Sequence, residues 1–258
     1  MVHAASKTGK STLSSTAPLP MCVLDAEGGW RFITEAGFKS GVPLRKKMWN
    51  PQHEGPPRYD GTWDVAVVSV SEWQNLTNAY RWLLTAPHDF RSLTFDSITE
   101  AQRRLKKSLV GTEQMKIQHW GQLLTQMDDL IRGMRDLVLM PGTPLQVVMF
   151  IAETAMRDGK WRPHMQGQIR DALPYFMDIV GYLYREVTDV VGGNGQPTGE
   201  KQKTMKMLIG QDVAPNIEAG ERVQGKLGDI IIEPNITQML VDIFGAHVTQ
   251  RENQVAAG

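Results

Sequence analysis

The stretch Ser6-Lys7-Thr8-Gly9-Lys10-Ser11-Thr12 sets a glycine, a lysine and a row of hydroxyls close to the start of the chain. This order suits phosphate chemistry. Backbone N–H groups around residues 6–11 can cradle oxyanions, and the Lys10 ammonium can reach β- and γ-phosphates. The Ser11 hydroxyl can ligate Mg²⁺. The pattern departs from G-x-x-x-x-G-K-[ST] only at its first position, where Ala4 stands. That first glycine mainly eases the exit from a strand, a task a small alanine can fill. Gly9, which the turn can least spare, is present. A Gly-Lys-Ser alone is weak, because a basic turn near a terminus has the same composition.

Carboxylates downstream strengthen it. SLTFD is an apolar run closing on Asp96, and open α/β sheets build their sites at the carboxyl ends of strands. An aspartate there can hold Mg²⁺ through water, with Ser97 in support. The plainer alternative is Asp96 as N-cap of the following TEAQRR helix. VAVVSV is a rival strand but ends in Ser69-Val70 and lacks the acid. In VLDAEGG, Glu27 follows a buried-type run and precedes two glycines, so it could polarise a water attacking a γ-phosphate. Asp25 is the alternative base, and a solvated turn carboxylate is the plainer alternative. LQVVMFIAET ends in Glu153 and Thr154, where a γ-phosphate sensor would lie; an ordinary strand end reads the same way.

The elements that must position these groups alternate. Strands are expected at 1–4, 21–24, 65–70, 92–96 and 145–154, with helices at about 10–16, from Ser71 as N-cap, over TEAQRRLKKSL, and at about 116–137. Residues 38–62 read as a long surface excursion and 156–168 as a polar loop. A glycine-rich hairpin or loop follows from Gly192, then short strands in MKMLIG and DIIIEP and a helix in NITQMLVDIFGAH. This is an α/β pattern on a mostly parallel central sheet flanked by helices, with a small C-terminal β extension, in one domain over 1–250 and a flexible tail at 251–258.

The 28 basic and 28 acidic residues cancel, so bulk charge points to neither nucleic acid nor membrane. One cysteine, Cys22, excludes an intrachain disulfide and reads as a buried thiol. Histidine and cysteine show no metal-ligand spacing. No apolar run is long enough to span a membrane and no secretory leader is evident, so a cytoplasmic location is expected.

The ordered segments KTGKST, LDAEGG, FDSITEAQ, VVMFIAET and ERVQGKLGDIIIEPNITQML, spread over nearly the whole chain, resemble the RecA-like P-loop NTPase core. More closely, they resemble small phage-encoded RecA-like ATPases, grouped as phage nucleotide-binding or AAA-type ATP-binding proteins. Some of these act in recombination or single-strand annealing. The resemblance implies Mg²⁺-dependent ATP hydrolysis between subunits of a homo-oligomeric ring or filament. It places Lys10 and Ser11 on phosphate and Mg²⁺, Glu27 on the attacking water and Asp96 on Mg²⁺. It also implies single-stranded DNA at the loop after the sensor strand, where Arg157, Lys160 and Arg162 could meet phosphates and Trp161 could stack on a base. A hairpin with ordinary charges is the bland alternative. Related rings carry a Lys-x-Arg finger near the closing strands. Here Gly220-Glu221-Arg222 keeps only the arginine, so Arg222 is the candidate reaching a neighbour's γ-phosphate. A phage single-strand-binding protein is a possible partner, and a phage protein would work in the host cytoplasm. The alternative function is a nucleotide-dependent assembly or DNA-packaging accessory with little turnover. The basic run Arg103, Arg104, Lys106, Lys107 is a second DNA candidate or simply a solvated helix face.

Overall fold

Alternate residues of the apolar strands enter different cores. Met21 and Val23 join a buried cluster with Val2, Ala4, Val65, Val67 and Ile151, whereas Cys22 and Leu24 join another with Ala66, Val68, Leu93 and Phe95. The period of two sends neighbouring side chains to opposite faces. Continuous apolar runs such as VAVVS are therefore what a sheet covered on both sides requires.

The computed structural model describes residues 1–36, 43–191, 193 and 196–246. The elements in chain order are β1 (Val2–Ala4), α1 (Lys10–Ser14), β2 (Met21–Asp25), α2 (Trp30–Ala36), β3 (Lys46–Met48), β4 (Val65–Ser69), α3 (Trp73–Thr85), β5 (Ser92–Asp96), α4 (Ile98–Val110), α5 (Ile117–Asp136), a 3-10 turn (Leu137–Leu139), β6 (Val147–Arg157), β7 (Lys160–Pro163), α6 (Ile169–Phe176), β8 (Ile179–Val191), β9 (Pro197–Leu208), β10 (Gly220–Glu221), β11 (Ile230–Ile232) and α7 (Ile236–Phe244). The sheet order is β11-β9-β8-β1-β6-β5-β2-β4-β3, with β10 added to β8 and β7 to β6. From β8 to β3 all neighbours are parallel, while β8, β9 and β11 form an antiparallel C-terminal extension. The expected α/β class and its extension are both present. Helices α3 to α6 cover one face, and α1, α7 and Trp30 of α2 cover the other.

Several local readings change. The N-cap of α3 is Glu72 rather than Ser71, and Asn75 Oδ1 accepts from the Glu72 N–H at 3.1 Å. The excursion over 38–62 is anchored rather than purely superficial: Trp49 is buried, as is Trp63 just beyond it, and residues 46–48 form an edge strand on β4. The part at 37–42 lies outside the described residues, as do 192, 194 and 195 of the glycine-rich segment and the whole tail at 251–258. MKMLIG belongs mostly to the longer β9. Cys22 is buried as expected, and burial pushes its thiol pKa up.

The short strand β1 sits in the middle of the sheet. Val2 pairs with Ile151 of β6 on one side and Gly181 of β8 on the other. The Met1 ammonium donates to the Ile179 carbonyl at 2.7 Å, and the Gly181 N–H donates to the Met1 carbonyl at 3.0 Å. On the neighbouring strand Gly181 leaves room for buried Met207, since a Cβ there would stand 2.6 Å from its sulfur. Gly181→Val is expected to destabilise the fold by about 1–3 kcal/mol through overpacking. Urea unfolding checks this, and an unchanged midpoint would refute it.

Candidate functional site

The chain leaves β1 at Ala4, which is buried and lies within the strand; it is not among the positive-φ residues. No glycine is required there. The turn is made later, by Lys7 at φ 61° and Gly9 at φ 112°, the latter capping α1. Ser6 and Lys7 are exposed, whereas Thr8, Ser11 and Thr12 are half-buried. The Thr8 hydroxyl donates to the Ala5 carbonyl at 2.8 Å. Buried Lys10 curls beneath the loop, its Nζ donating to the carbonyls of Ala4 at 3.3 Å and Ala5 at 3.0 Å. A cationic group thus lies under a loop whose first helical N–H groups have no intrahelical partner.

Parallel pairing sets Val2, Ile151, Asp96 and Asp25 level across β1, β6, β5 and β2. Asp96 therefore lies at the same sheet edge as the loop. Its Oδ2 accepts from Ser11 Oγ at 2.6 Å and from Trp30 Nε1 at 3.0 Å. Asp96 does not cap α4. Ser97 does, its Oγ accepting from the Glu100 N–H at 3.3 Å. Burial pushes the Asp96 carboxyl up to about 6, with the nearby Glu27 and Asp25 charges adding, while the Ser11 and Trp30 donors pull it down. A hydroxyl and a carboxylate oxygen side by side make a hard donor set that fits Mg²⁺, which needs only one or two protein oxygens when phosphates supply the rest. Accordingly no cluster of three or more metal-binding side chains is needed, and none occurs among the described residues.

Asp25 is occupied. Its Oδ1 accepts from the N–H groups of Gly28 at 2.8 Å and Gly29 at 3.3 Å, and its Oδ2 from Trp30 N–H at 3.2 Å. It closes the turn into α2; burial raises its pKa, and those N–H donors oppose the rise. Glu27 is instead exposed, and its Oε1 accepts from Ser97 Oγ at 2.5 Å. Ser97 thus supports Glu27, not Asp96 as expected. Sequence reasoning missed Trp30, whose indole fixes Asp96 from 66 residues away.

Glu153 and Thr154 are held by neighbours other than the loop. Glu153 takes a two-pronged ion pair from Arg103, at 2.8 and 3.2 Å, and a contact from His164 at 3.3 Å; the guanidinium draws its pKa down. Thr154 Oγ1 lies 3.1 Å from His3 Nδ1 and 3.2 Å from the Arg162 carbonyl. Burial pushes the His3 pKa down to about 4. Its Nε2–H donates to the Glu218 carbonyl at 2.6 Å, which leaves Nδ1 to accept. Arg103 and Arg104 are paired with Glu100, and Lys106 lies over the Trp120 ring, so three of the four cations of this basic run have partners of their own.

The predicted loop after β6 is a hairpin. β6 continues to Arg157, Asp158-Gly159 turns at φ 51° and 74°, and β7 returns. Arg157 pairs with Lys160 and Ala155 with Arg162, while Met156 pairs with Trp161. Opposed residues share a face, so the cations and the indole lie on opposite faces of the ribbon. Lys160 contacts Glu218 at 3.4 Å, and Arg162 contacts Asp171 at 3.4 Å and Glu218 at 3.7 Å. Arg157 is the exposed cation at the tip. Arg222 is not brought to the loop. Its N–H bonds the Asp178 carbonyl at 2.9 Å and its Nη2 the Tyr175 carbonyl at 2.6 Å, at the opposite ends of the parallel strands. There it shares a cleft of about 570 Å³ with Lys160 and Arg162.

Compared with models of known families, residues 1–223 match the AAA domain family, and the chain belongs to it. Membership supports nucleotide binding and ATPase activity, and the matched stretch contains Lys10, Ser11, Glu27 and Asp96. No curated protein matches the chain. Among the described residues no helix is long and apolar enough to cross a membrane.

The Asp96 pKa carries a stability consequence. Its folded value, about 6, exceeds the ordinary 3.8, so its contribution to stability is full below about pH 4 and lost as pH rises through 6. Without nucleotide or metal, Asp96→Asn is expected to stabilise the protein by about 1–3 kcal/mol at pH 8. The margin shrinks towards pH 4. Urea unfolding across that range checks it, and a variant less stable than wild type at pH 8 would refute it.

Proposed function

We propose that this protein is a Mg²⁺-dependent ATPase of RecA-like type that assembles into rings or filaments, binds single-stranded DNA and serves phage recombination or strand annealing. The observation that carries the reading is the 2.6 Å contact between Ser11 and Asp96, which joins the loop hydroxyl to the acid of a strand two places away in the sheet. In this reading the backbone of residues 6–11 and Lys10 hold the phosphates, while Ser11 and Asp96 hold Mg²⁺. When bound, Mg²⁺ neutralises charge on the phosphate chain. Trp30 keeps Asp96 aimed. Glu27, held by Ser97, orients the attacking water and accepts its proton.

Arg222 stands at the opposite end of the strands from its own loop, so its role as a finger belongs to a neighbour's site. DNA contact falls to Arg157 at the hairpin tip and to Trp161 on the other face, with Lys160 and Arg162 available only where their acidic partners release them. A phage single-strand-binding protein is the partner this role would call for.

ATP turnover with and without single-stranded DNA tests the proposal. Lys10→Ala is expected to abolish turnover, and Glu27→Gln to lower it roughly 100-fold while ADP still binds. Hydrolysis unchanged in Lys10→Ala sinks the enzyme reading. Binding without DNA-stimulated turnover would favour the assembly or packaging accessory instead.

A further inference from the structure

A second cation stands beside the loop, on a part of the chain that the motif does not include. β8 pairs with β1 only at Gly181 and Tyr182 and then runs on, with β9, past the sheet edge from which the loop emerges. Leu183 and Met207 are opposed on this ribbon and buried in the same core as Leu13 of α1. Two residues further on, Arg185 and Met205 are the next opposed pair on that face. They reach the loop: a Cβ on Gly9 would stand 2.7 Å from Met205 Cε and 3.5 Å from Arg185 Nη2.

Arg185 is exposed, and it makes no hydrogen bond or ion pair among the described residues. Its neighbour Glu186 is already committed to Lys206 at 2.6 Å. β8 lies on the side of β1 away from Asp96, Asp25 and Glu27, so the acids flank the loop on one side and Arg185 on the other. Among the described residues no acid pairs with the guanidinium, while the loop it overhangs has the make-up of an anion cradle. A planar guanidinium with free donors is suited to grip phosphate oxygens in pairs.

We infer that Arg185 is a phosphate-binding residue of the same subunit, gripping the nucleotide's phosphate chain from the flank opposite the Mg²⁺ side. The inference rests on the nucleotide reading given above. It assigns the β8–β9 ribbon a function, carrying a cation to the loop from more than 170 residues downstream.

The test is fluorescence titration with MANT-ADP, with inorganic tripolyphosphate as competitor, on wild type, Arg185→Ala, Arg185→Lys and Lys10→Ala. Arg185→Ala is expected to weaken both probes roughly tenfold, and to flatten the salt dependence of binding. Arg185→Lys is expected to recover part of the loss, and thermal unfolding to be unchanged. If Arg185→Ala weakens neither probe while Lys10→Ala abolishes binding, the inference fails and the nucleotide reading stands. If it weakens MANT-ADP but not tripolyphosphate, the contact is to the nucleoside and the phosphate assignment is overturned. If Lys10→Ala binds as wild type does, the nucleotide reading itself fails and the inference falls with it.

Discussion

The parallel pairing of three residues, Val2 to Ala4, between β6 and β8 is the constraint on which the rest depends. A strand this short has little hold of its own. It is fixed by ladders on both sides, by the buried Met1 ammonium on the Ile179 carbonyl, and by Val2 and Ala4 in the core. Both flanking strands come from residues 147–191, so the phosphate loop takes its final place only when distant chain has folded around it. Such non-local pairing is slow to form but rigid once formed. It also removes the need for glycine at position 4, because the strand delivers the loop in ordinary extended geometry and the turn is deferred to Lys7 and Gly9.

The same edge separates three carboxylates into three roles by environment alone. Asp25 is saturated by backbone N–H groups and shapes the turn. Asp96 is buried, held by one hydroxyl and one indole, and costly to ionise until a cation arrives. Glu27 sits in solvent with one oxygen held by Ser97. Only Glu27 is both accessible and oriented, and only Asp96 touches the loop. The proposed function gives the metal to one and the water to the other on the ground of those surroundings, since the side chains have nearly the same chemistry.

What the sequence made legible was what local pattern encodes. Gly9-Lys10-Ser11 reports its own turn, and Asp96 and Glu27 announce themselves as acids at the ends of apolar runs. Trp30 and His3 carried no such signal. Their partners lie 66 residues away in one case and 151 and 215 in the other, and only strand order brings them together. Arg185 was invisible for the same reason. The hairpin after β6 is a different kind of miss. Asp158-Gly159 is a strong local turn signal, and once the segment is a ribbon the two-residue period parts Trp161 from Lys160 and Arg162, which as a loop they need not have been. Glu218, which pairs with both cations, is more than fifty residues on and could not be read beforehand.

The C-terminal segment beyond the family match also bears on the loop. α7 packs into the core shared by α1, and its first turn is stitched to the end of that helix. The Ile236 N–H donates to Thr16 Oγ1, and Thr237 Oγ1 donates to the Thr16 carbonyl, both at 2.7 Å. The α1 helix has only five residues, too few to be stable alone, and it carries both Lys10 and Ser11. Its position is therefore set from three directions: β1 before it, the β8–β9 ribbon over Gly9, and α7 behind Thr16. A displacement of any one would be felt at Ser11, whose hydroxyl must stay within hydrogen-bond reach of Asp96. The phosphate loop is thus a local motif whose geometry is owned by residues far outside it, and residues 224–246 are part of the site's support rather than an appendage to it.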